Sequence, residues 1–430
     1  MKPYQCVLEY LYRLNRHGIR LGLDPTITLL KRLGNPHLRY VSLHIGGTNG
    51  KGSTAIMVAT ILQGAGYRVG LYTSPHLVDF RERIRVNGAM IARERVVELT
   101  HRIQSEAGST SPLTFFEFTT GMAFQYFAEE GIDVAVIEVG MGGRFDATNV
   151  LEPLGVLITN IDCDHEQYLG HTLTSIAYEK AGIIKKGGSV VVGPMAEAPR
   201  QVIESFADEQ RAVPYRWDTD FHIAHEPDQK FSYHGSHWNF SGLDCSLLGD
   251  HQRVNAACAL ALLEIGALKG LNVSESAIRQ GLIDVRWEGR LETVSLRPWI
   301  VLDGAHNAAA AQVLVSFLSK VLQSEPSRNL ILVVGMMRDK NHSAFLEVMN
   351  PLGDHMILTQ ASLSRAASVQ DLVAALPKNT TAIQAVASPP QAIKMAKSLA
   401  RSTDLICMTG SLILVGELRD CLLTSDYPSS

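Results

Sequence analysis

The chain has 430 residues, too many for one typical domain, and its length points to roughly two or three. With 46% hydrophobic and 19% charged residues it can bury sizeable cores, which excludes a disordered chain. A net charge of −4 excludes the basic balance of a general nucleic-acid binder.

The N-terminal segment lacks the uninterrupted apolar core of a signal peptide. Instead Val7, Leu8, Leu11, Tyr12 and Leu14 recur at helical spacing. Residues 41–45 (VSLHI) read as a strand entering a glycine-rich turn, 54–63 as a buried helix, and 68–72 as a second strand. Amphipathic helices are predicted over 93–104 and 117–128, then β-rich runs over 132–139 and 154–160. A helix over 173–184 and a strand over 189–193 follow. Such alternation implies a parallel sheet covered on both faces.

Residues 213–250 change texture, with short alternating segments and few helix formers, and predict a small β-rich insert. A strong helix returns over 252–266. The pattern breaks near Trp287–Pro298 and restarts as strand 299–303, helix 308–322 and strands 329–335, 355–359, 382–386 and 404–408. The expected fold is α/β: a domain with a mostly parallel sheet and the small β-rich insert over 1–295, then a Rossmann-like domain over 296–430.

The six cysteines, Cys6, Cys163, Cys245, Cys258, Cys407 and Cys421, form no CxxC pair and suit a reducing compartment. No run of about 18 apolar residues occurs, so no transmembrane helix is expected. The expectation is a cytoplasmic protein with no membrane or nucleic-acid partner.

The segment His44–Thr54 (HIGGTNGKGST) carries the first chemistry. Glycine amides approach phosphate oxygens unhindered, and the following helix turns its positive end toward the same point. Lys51 is placed to reach β- and γ-phosphates, and Ser53 or Thr54 offers a hydroxyl to Mg²⁺ or phosphate. The pattern GxxxxGK[ST] is broken twice: Ile45 stands five residues before Gly50, and Gly52 follows Lys51. A turn with an incidental lysine is the bland alternative.

Other candidates lie further along. Glu138 ends the apolar run 132–139, where a carboxylate beside a phosphate loop can hold Mg²⁺. Taken alone, His165 reads as an ordinary loop histidine, since Mg²⁺ prefers oxygen. Lys180 alone reads as a solvated helix lysine. Phe115, Phe116 and Phe118 in LTFFEFTT either stack on a flat heterocycle or pack in a core. Asp303, His306 and Asn307 in VLDGAHN fall at the C-terminal edge of a parallel sheet, where such folds bind ligands.

GTNGKGS resembles the nucleotide loop of the Mur ligase superfamily. Within it, the sequence is similar to folylpolyglutamate synthases and their bifunctional dihydrofolate synthase relatives, from about residue 20 to 416. The resemblance implies an ATP-dependent carboxylate–amine ligase that adds L-glutamate to dihydropteroate and to tetrahydrofolate through an acyl phosphate. It implies ATP contacts from Gly47, Thr48, Asn49, Gly50, Lys51, Gly52, Ser53, Thr54, Asn255 in GDHQRVN, Arg290 in WEGRLE, and Asp303. Two Mg²⁺ ions would be held through Ser74, Glu138 and His165. Lys51, Lys180 and His306 would be catalytic, with Lys180 carbamylated as in Mur-type ligases. Phe116, Arg144, Asp146 and Ala147, the last three in RFDATN, would bind the folate or pteroate. The family's DGAHN motif usually continues with Pro, and here Ala308 follows. The segment Thr409–Ser411 (TGS) matches another family feature. A monomer is expected.

Three rivals remain open from sequence. One is a folylpolyglutamate synthase alone. Another is a Mur-type ligase for a different carboxylate, which should lack LTFFEF and RFDATN. The third is a P-loop nucleotide switch, which would need neither DGAHN nor a carbamylated lysine.

Overall fold

Strand β1 (Val41–Gly46) is buried on both faces from Ser42 onward, polar Ser42 and His44 included, as befits a central parallel strand. The computed structural model describes residues 3–14, 18, 22–107, 113–378 and 382–424. The chain forms two compact units. One runs to His76 and includes Phe80–Ser246 and Gln252–Arg286; the other comprises Leu77–Asp79, Leu247–His251 and the chain from Trp287 onward.

In the first unit β1 joins β2 (Val69–Tyr72), β3 (Ile84–Val86), β4 (Ala89–Met90), β5 (Val134–Glu138), β6 (Gly155–Ile158), β7 (Ser189–Val192) and β8 (Val213–Arg216). Among the described residues they make one sheet, ordered β4-β3-β2-β5-β1-β6-β7-β8. The strands from β2 to β8 in that order run parallel, and β3 and β4 are antiparallel additions at one edge. β5 pairs on one side of β1 and β6 on the other, so the chain changes side there. The crevice beyond the C-terminal ends of β5, β1 and β6 is therefore the topological switch point, where open α/β sheets hold ligands.

Helix Phe115–Glu129 starts two residues before its expected onset, because Thr114 and Glu117 form a reciprocal capping box. Helix Lys51–Gly64 likewise begins before residue 54, inside a glycine–lysine run that carries no apolar period. The β-rich insert is smaller than the texture of 213–250 suggested. β8 belongs to the large sheet, and the insert is an antiparallel sheet of β9 (His222–His225), β10 (Phe231–His234) and β11 (Asn239–Leu243). Edge-strand polarity explains the error: β8 is only half-buried and reads like insert sequence.

The second unit contains β12 (Glu292–Leu296), β13 (Trp299–Leu302), β14 (Leu330–Val334), β15 (His355–Leu358), β16 (Ile383–Ala385) and β17 (Leu405–Thr409). Their order is β12-β13-β17-β14-β15-β16, parallel except for β12. Alternation divides the apolar strands between two cores. Leu330, Leu332, Val334, Leu405 and Cys407 face one, while Ile331, Val333, Ile406 and Met408 face the other. Helix layers on both faces make this a Rossmann-like α/β unit. None of the six cysteines is in a disulfide, and no helix among the described residues is long and apolar enough to cross a membrane.

Candidate active site

β1 delivers Gly46 to the switch point, and the chain turns through Gly47 and Gly50, both at positive φ (132° and 81°). A Cβ on Gly47 would stand 1.9 Å from Thr159 Oγ1, and one on Gly50 would stand 2.5 Å from Asn255 Oδ1. Both glycines are thus required by backbone conformation and by close approach. Gly50 caps helix Lys51–Gly64 without a side chain, so the positive helix end meets the loop unmasked.

The segment after β6 braces this loop. Thr159 Oγ1 donates to the Asn49 carbonyl at 2.6 Å, and Asn160 Oδ1 accepts from the Asn49 amide at 2.9 Å. Thr48 Oγ1 accepts from the Asp162 amide at 3.0 Å. Ser53 and Thr54 are buried in the first turn of the helix. Gln252 Nε2 donates to Ser53 Oγ at 3.4 Å, and Asn255 Nδ2 donates to Gln252 Oε1 at 3.0 Å. Asn255 therefore sits against Gly50 and the start of the helix.

Two lysines converge on the loop. Lys51 Nζ donates to the carbonyls of Gly47 (3.1 Å) and Thr48 (2.9 Å), and the buried Lys180 Nζ donates to the Gly47 carbonyl at 2.8 Å. Burial, and then the nearby Lys51 charge, lower the Lys180 pKa from its ordinary value to about 7. Asp164 and Asp146 oppose that shift, which places their carboxylates in the same field. Lys180 is therefore not the solvated helix lysine that its local sequence suggests.

β5 ends at Glu138, whose buried carboxylate accepts from the Ser74 amide at 3.0 Å. Two residues on, a Cβ at Gly140 would fall 2.4 Å from Phe116 Cζ, so the Phe116 ring lies on that glycine. Tyr72 packs beside Phe116, their ring centroids 5.9 Å apart. Phe118 is core, and Phe115 is buried against Phe80 and Tyr12 with the Arg83 guanidinium 5.1 Å from its ring. Of the three phenylalanines, Phe116 alone is only partly buried.

Asp146 knots the following loop. Its Oδ1 accepts from Thr148 N (3.0 Å) and Thr148 Oγ1 (2.5 Å), and its Oδ2 accepts from Met141 N (2.9 Å). Burial raises its pKa, opposed by those bonds and the Gly140 amide. Ala147 is buried at the first position of the short helical turn that Asp146 caps. Arg144 points elsewhere: its guanidinium stacks 4.1 Å from the Tyr178 ring and 5.4 Å from that of Phe206. His165 adopts a left-handed conformation (φ 52°) ahead of helix Glu166–Leu169, with Nε2 3.9 Å from Asp164 Oδ2.

In the second unit Asp303 follows β13. Its carboxylate accepts from Leu291 N at 3.0 Å and Ala305 N at 2.9 Å. His306 Nδ1 lies 2.9 Å from the Gly304 carbonyl, and Asn307 Oδ1 caps helix Ala308–Ser324 through Ala310 N at 2.8 Å. A Cβ on Gly304 would be 3.1 Å from Arg290 Nη1, so Arg290 lies over the DGAHN turn. Gly410, in the TGS segment after β17, donates to the Ala305 carbonyl at 3.0 Å.

Residues 45–263 match the Mur ligase middle domain, and residues 289–412 match the Mur ligase glutamate ligase domain. A dihydrofolate synthase/folylpolyglutamate synthase of Bacillus subtilis is 33% identical, covering 97% of this chain and 98% of its own. The chain belongs to the Mur ligase family. Among solved structures, E. coli FolC in complex with DHPP and ADP is 31% identical with a TM-score of 0.89, covering 98% of both chains. A bifunctional folylpolyglutamate synthase/dihydrofolate synthase of Yersinia pestis, complexed with AMPPNP and Mn ion, is 33% identical with a TM-score of 0.89 and the same coverage. This Mur ligase is accordingly an ATP-dependent carboxylate–amine ligase of the dihydrofolate synthase/folylpolyglutamate synthase type.

The donor set of this Mur ligase fits a divalent cation that shares its coordination with nucleotide. Among the described residues no three His, Cys, Asp or Glu side chains gather as a metal cage. Glu138 instead offers one buried carboxylate beside Ser74, on the strand next to the phosphate loop. Mg²⁺ suits such a site, because it keeps waters and phosphate oxygens alongside one or two carboxylates.

Several residues of this Mur ligase's site escaped the sequence reading. Thr159 and Asn160 brace the loop, Gln252 holds Asn255, and His44 and Thr148 support Asp146. The available signal was position: Thr159 and Asn160 directly follow a central strand, at the edge where such sheets bind ligands.

Proposed function

We propose that this chain adds L-glutamate to dihydropteroate, forming dihydrofolate, and to tetrahydrofolate, forming folylpolyglutamate. The observation that carries this reading is the Phe116 ring lying on Gly140, two residues beyond Glu138. It sets an aromatic surface for a flat heterocycle next to the carboxylate assigned to metal, and next to the phosphate loop. The ATP-binding domain is assigned to the chain before Trp287 and the glutamate ligase domain to the chain from Trp287 onward, because the boundary expected at 295/296 would cut β12. The enzyme works as a cytoplasmic monomer with small-molecule partners only.

In the first step an acceptor carboxylate oxygen attacks the γ-phosphorus of ATP; the bond to the β,γ-bridging oxygen breaks and ADP leaves. In the second, the α-amino nitrogen of glutamate attacks the acyl carbon, phosphate departs with the C–O pair, and the nitrogen loses a proton. Gly47–Thr54 and Asn255 hold the nucleotide, and Lys51 neutralises charge gathering on the transferred phosphoryl group. Phe116, Asp146 and Ala147 bind the pteroyl end, whereas Arg144, expected there from the sequence, lies with its guanidinium on the Tyr178 ring. Arg290, Asp303 and His306 act on ATP and glutamate. Glu138 and Ser74, with His165 for a second ion, would hold Mg²⁺, whose bound charge stabilises the phosphate oxygens.

Lys180 is proposed to be carbamylated. A pKa of about 7 leaves much of the amine neutral at physiological pH, and the neutral nitrogen is the form that attacks CO₂. The product anion would face Lys51 with attraction in place of repulsion.

The test is ATP-dependent incorporation of glutamate with dihydropteroate and tetrahydrofolate as separate acceptors. Incorporation into both is expected. Incorporation into tetrahydrofolate alone would reduce the activity to folylpolyglutamate synthase, and incorporation into neither would overturn the reading.

A further inference from the structure

His44 stands on β1 three residues before Gly47, fully buried in the centre of the sheet. Burying the polar histidine ring there costs stability unless the ring is partnered. Its partner among the described residues is Thr148: Nε2 lies 2.8 Å from Thr148 Oγ1. The threonine hydroxyl has a single hydrogen, and Asp146 Oδ1 takes it at 2.5 Å. The carboxylate also accepts backbone N–H groups from Thr148 and Met141, so it acts as the acceptor throughout. Thr148 Oγ1 must then accept from His44, and Nε2 must carry the imidazole proton. The other nitrogen agrees: Nδ1 is buried with no hydrogen-bond partner among the described residues, as suits a bare lone pair better than an orphaned N–H. Burial, then the Lys185 charge, lowers the ring's pKa to about 3, so it stays neutral.

The chain of bonds runs further. Asp146 holds the Met141 amide, and Gly140 beside it carries the Phe116 ring. We propose that His44 is a positioning residue for the acceptor-binding loop: through Thr148 and Asp146 it fixes Gly140–Met141 beneath Phe116. This rests on the pteroyl reading of Phe116 and Asp146. It couples the central strand that delivers the phosphate loop to the surface that receives the acceptor. His44 touches neither substrate, and its effect is exerted by directing the single hydroxyl proton of Thr148 onto Asp146.

The geometry also selects the substitutions. A glutamine amide nitrogen can occupy the place of imidazole Nε2, whereas an asparagine amide reaches only the Nδ1 position. Thr148→Val keeps shape and removes the hydroxyl. Thr148→Ser keeps it. The expected result is that His44→Asn and Thr148→Val each raise KM for the pteroyl acceptor about tenfold, with KM for ATP unchanged. His44→Gln and Thr148→Ser should stay near the parent, and the double variant His44→Asn/Thr148→Val should lose no more than either single one. An equal rise in KM for ATP, or no recovery in His44→Gln, would overturn the proposal. Nitrogen-detected NMR of the parent protein tests the relay without any substrate. A ring protonated at Nε2 is expected, and one protonated at Nδ1 would overturn it. Absence of pteroyl-dependent turnover in the parent would instead count against the substrate assignment, and the tautomer would still decide the relay.

Discussion

Lys51 and Lys180 donate to the same acceptor, the carbonyl oxygen of Gly47, at 3.1 and 2.8 Å. They are far apart in sequence, and they meet because β1 and the helix Leu173–Ala181 both end at the switch point. Burial, and then repulsion from the Lys51 ammonium, lowers the pKa of Lys180.

That relationship has a pH signature. The folded pKa of Lys180, about 7, lies below its ordinary value of 10.5, so the folded state binds fewer protons between those values. Stability should rise with pH across that window, with the full cost of the buried charge present below pH 7. Lys180→Met should therefore raise Tm at pH 6 in bicarbonate-free buffer, and the gain should fade toward pH 10. Thermal melts of parent and variant across pH check this; a gain that grows with pH would contradict it.

Removing the Lys51 ammonium takes away charge stabilisation from the phosphoryl transfer while leaving the loop backbone intact. Lys51→Ala should lower kcat about 10²–10³-fold with the fold retained by circular dichroism. Near-parent turnover would refute the loop assignment.

Gly47→Ala asks an L-residue to hold a φ of 132° with its Cβ 1.9 Å from Thr159 Oγ1. The loop must shift, and ATP affinity should fall below that of the parent. Calorimetric titration with a non-hydrolysable ATP analogue measures it. Unchanged affinity would mean that the loop adopts another path.

Asp146→Ala should harm dihydropteroate use more than tetrahydrofolate use, since RFDATN is the form associated with the bifunctional enzymes. The comparison is kcat/KM for the two acceptors. Equal losses would indicate that the carboxylate serves only as the knot holding Met141 and Thr148.

The alternation of strand and helix was legible because period-2 and period-3.6 patterns are local, and both sheets needed apolar runs on their central strands. The loop, Glu138 and DGAHN were legible because each sits at a strand end. β8 misled for the opposite reason: an edge strand is half-exposed and lacks the apolar signature. The helix starts at Lys51 and Phe115 were hidden by caps that carry no hydrophobic period.

By itself, then, the sequence determined the two-part α/β architecture, the glycine loop whose conformations only glycine holds easily, and the resemblance that pointed to a Mur-type ligase. Only the tertiary structure decided what surrounds those residues. It turned Lys180 from a surface residue into a buried amine with a pKa of about 7, laid Phe116 on Gly140, and turned Arg144 onto Tyr178. It also revealed His44 behind Asp146. The physical reason is that burial and close approach depend on which distant strands become neighbours. Parallel pairing of β1 with β5 and β6 sets that, and no local pattern encodes it.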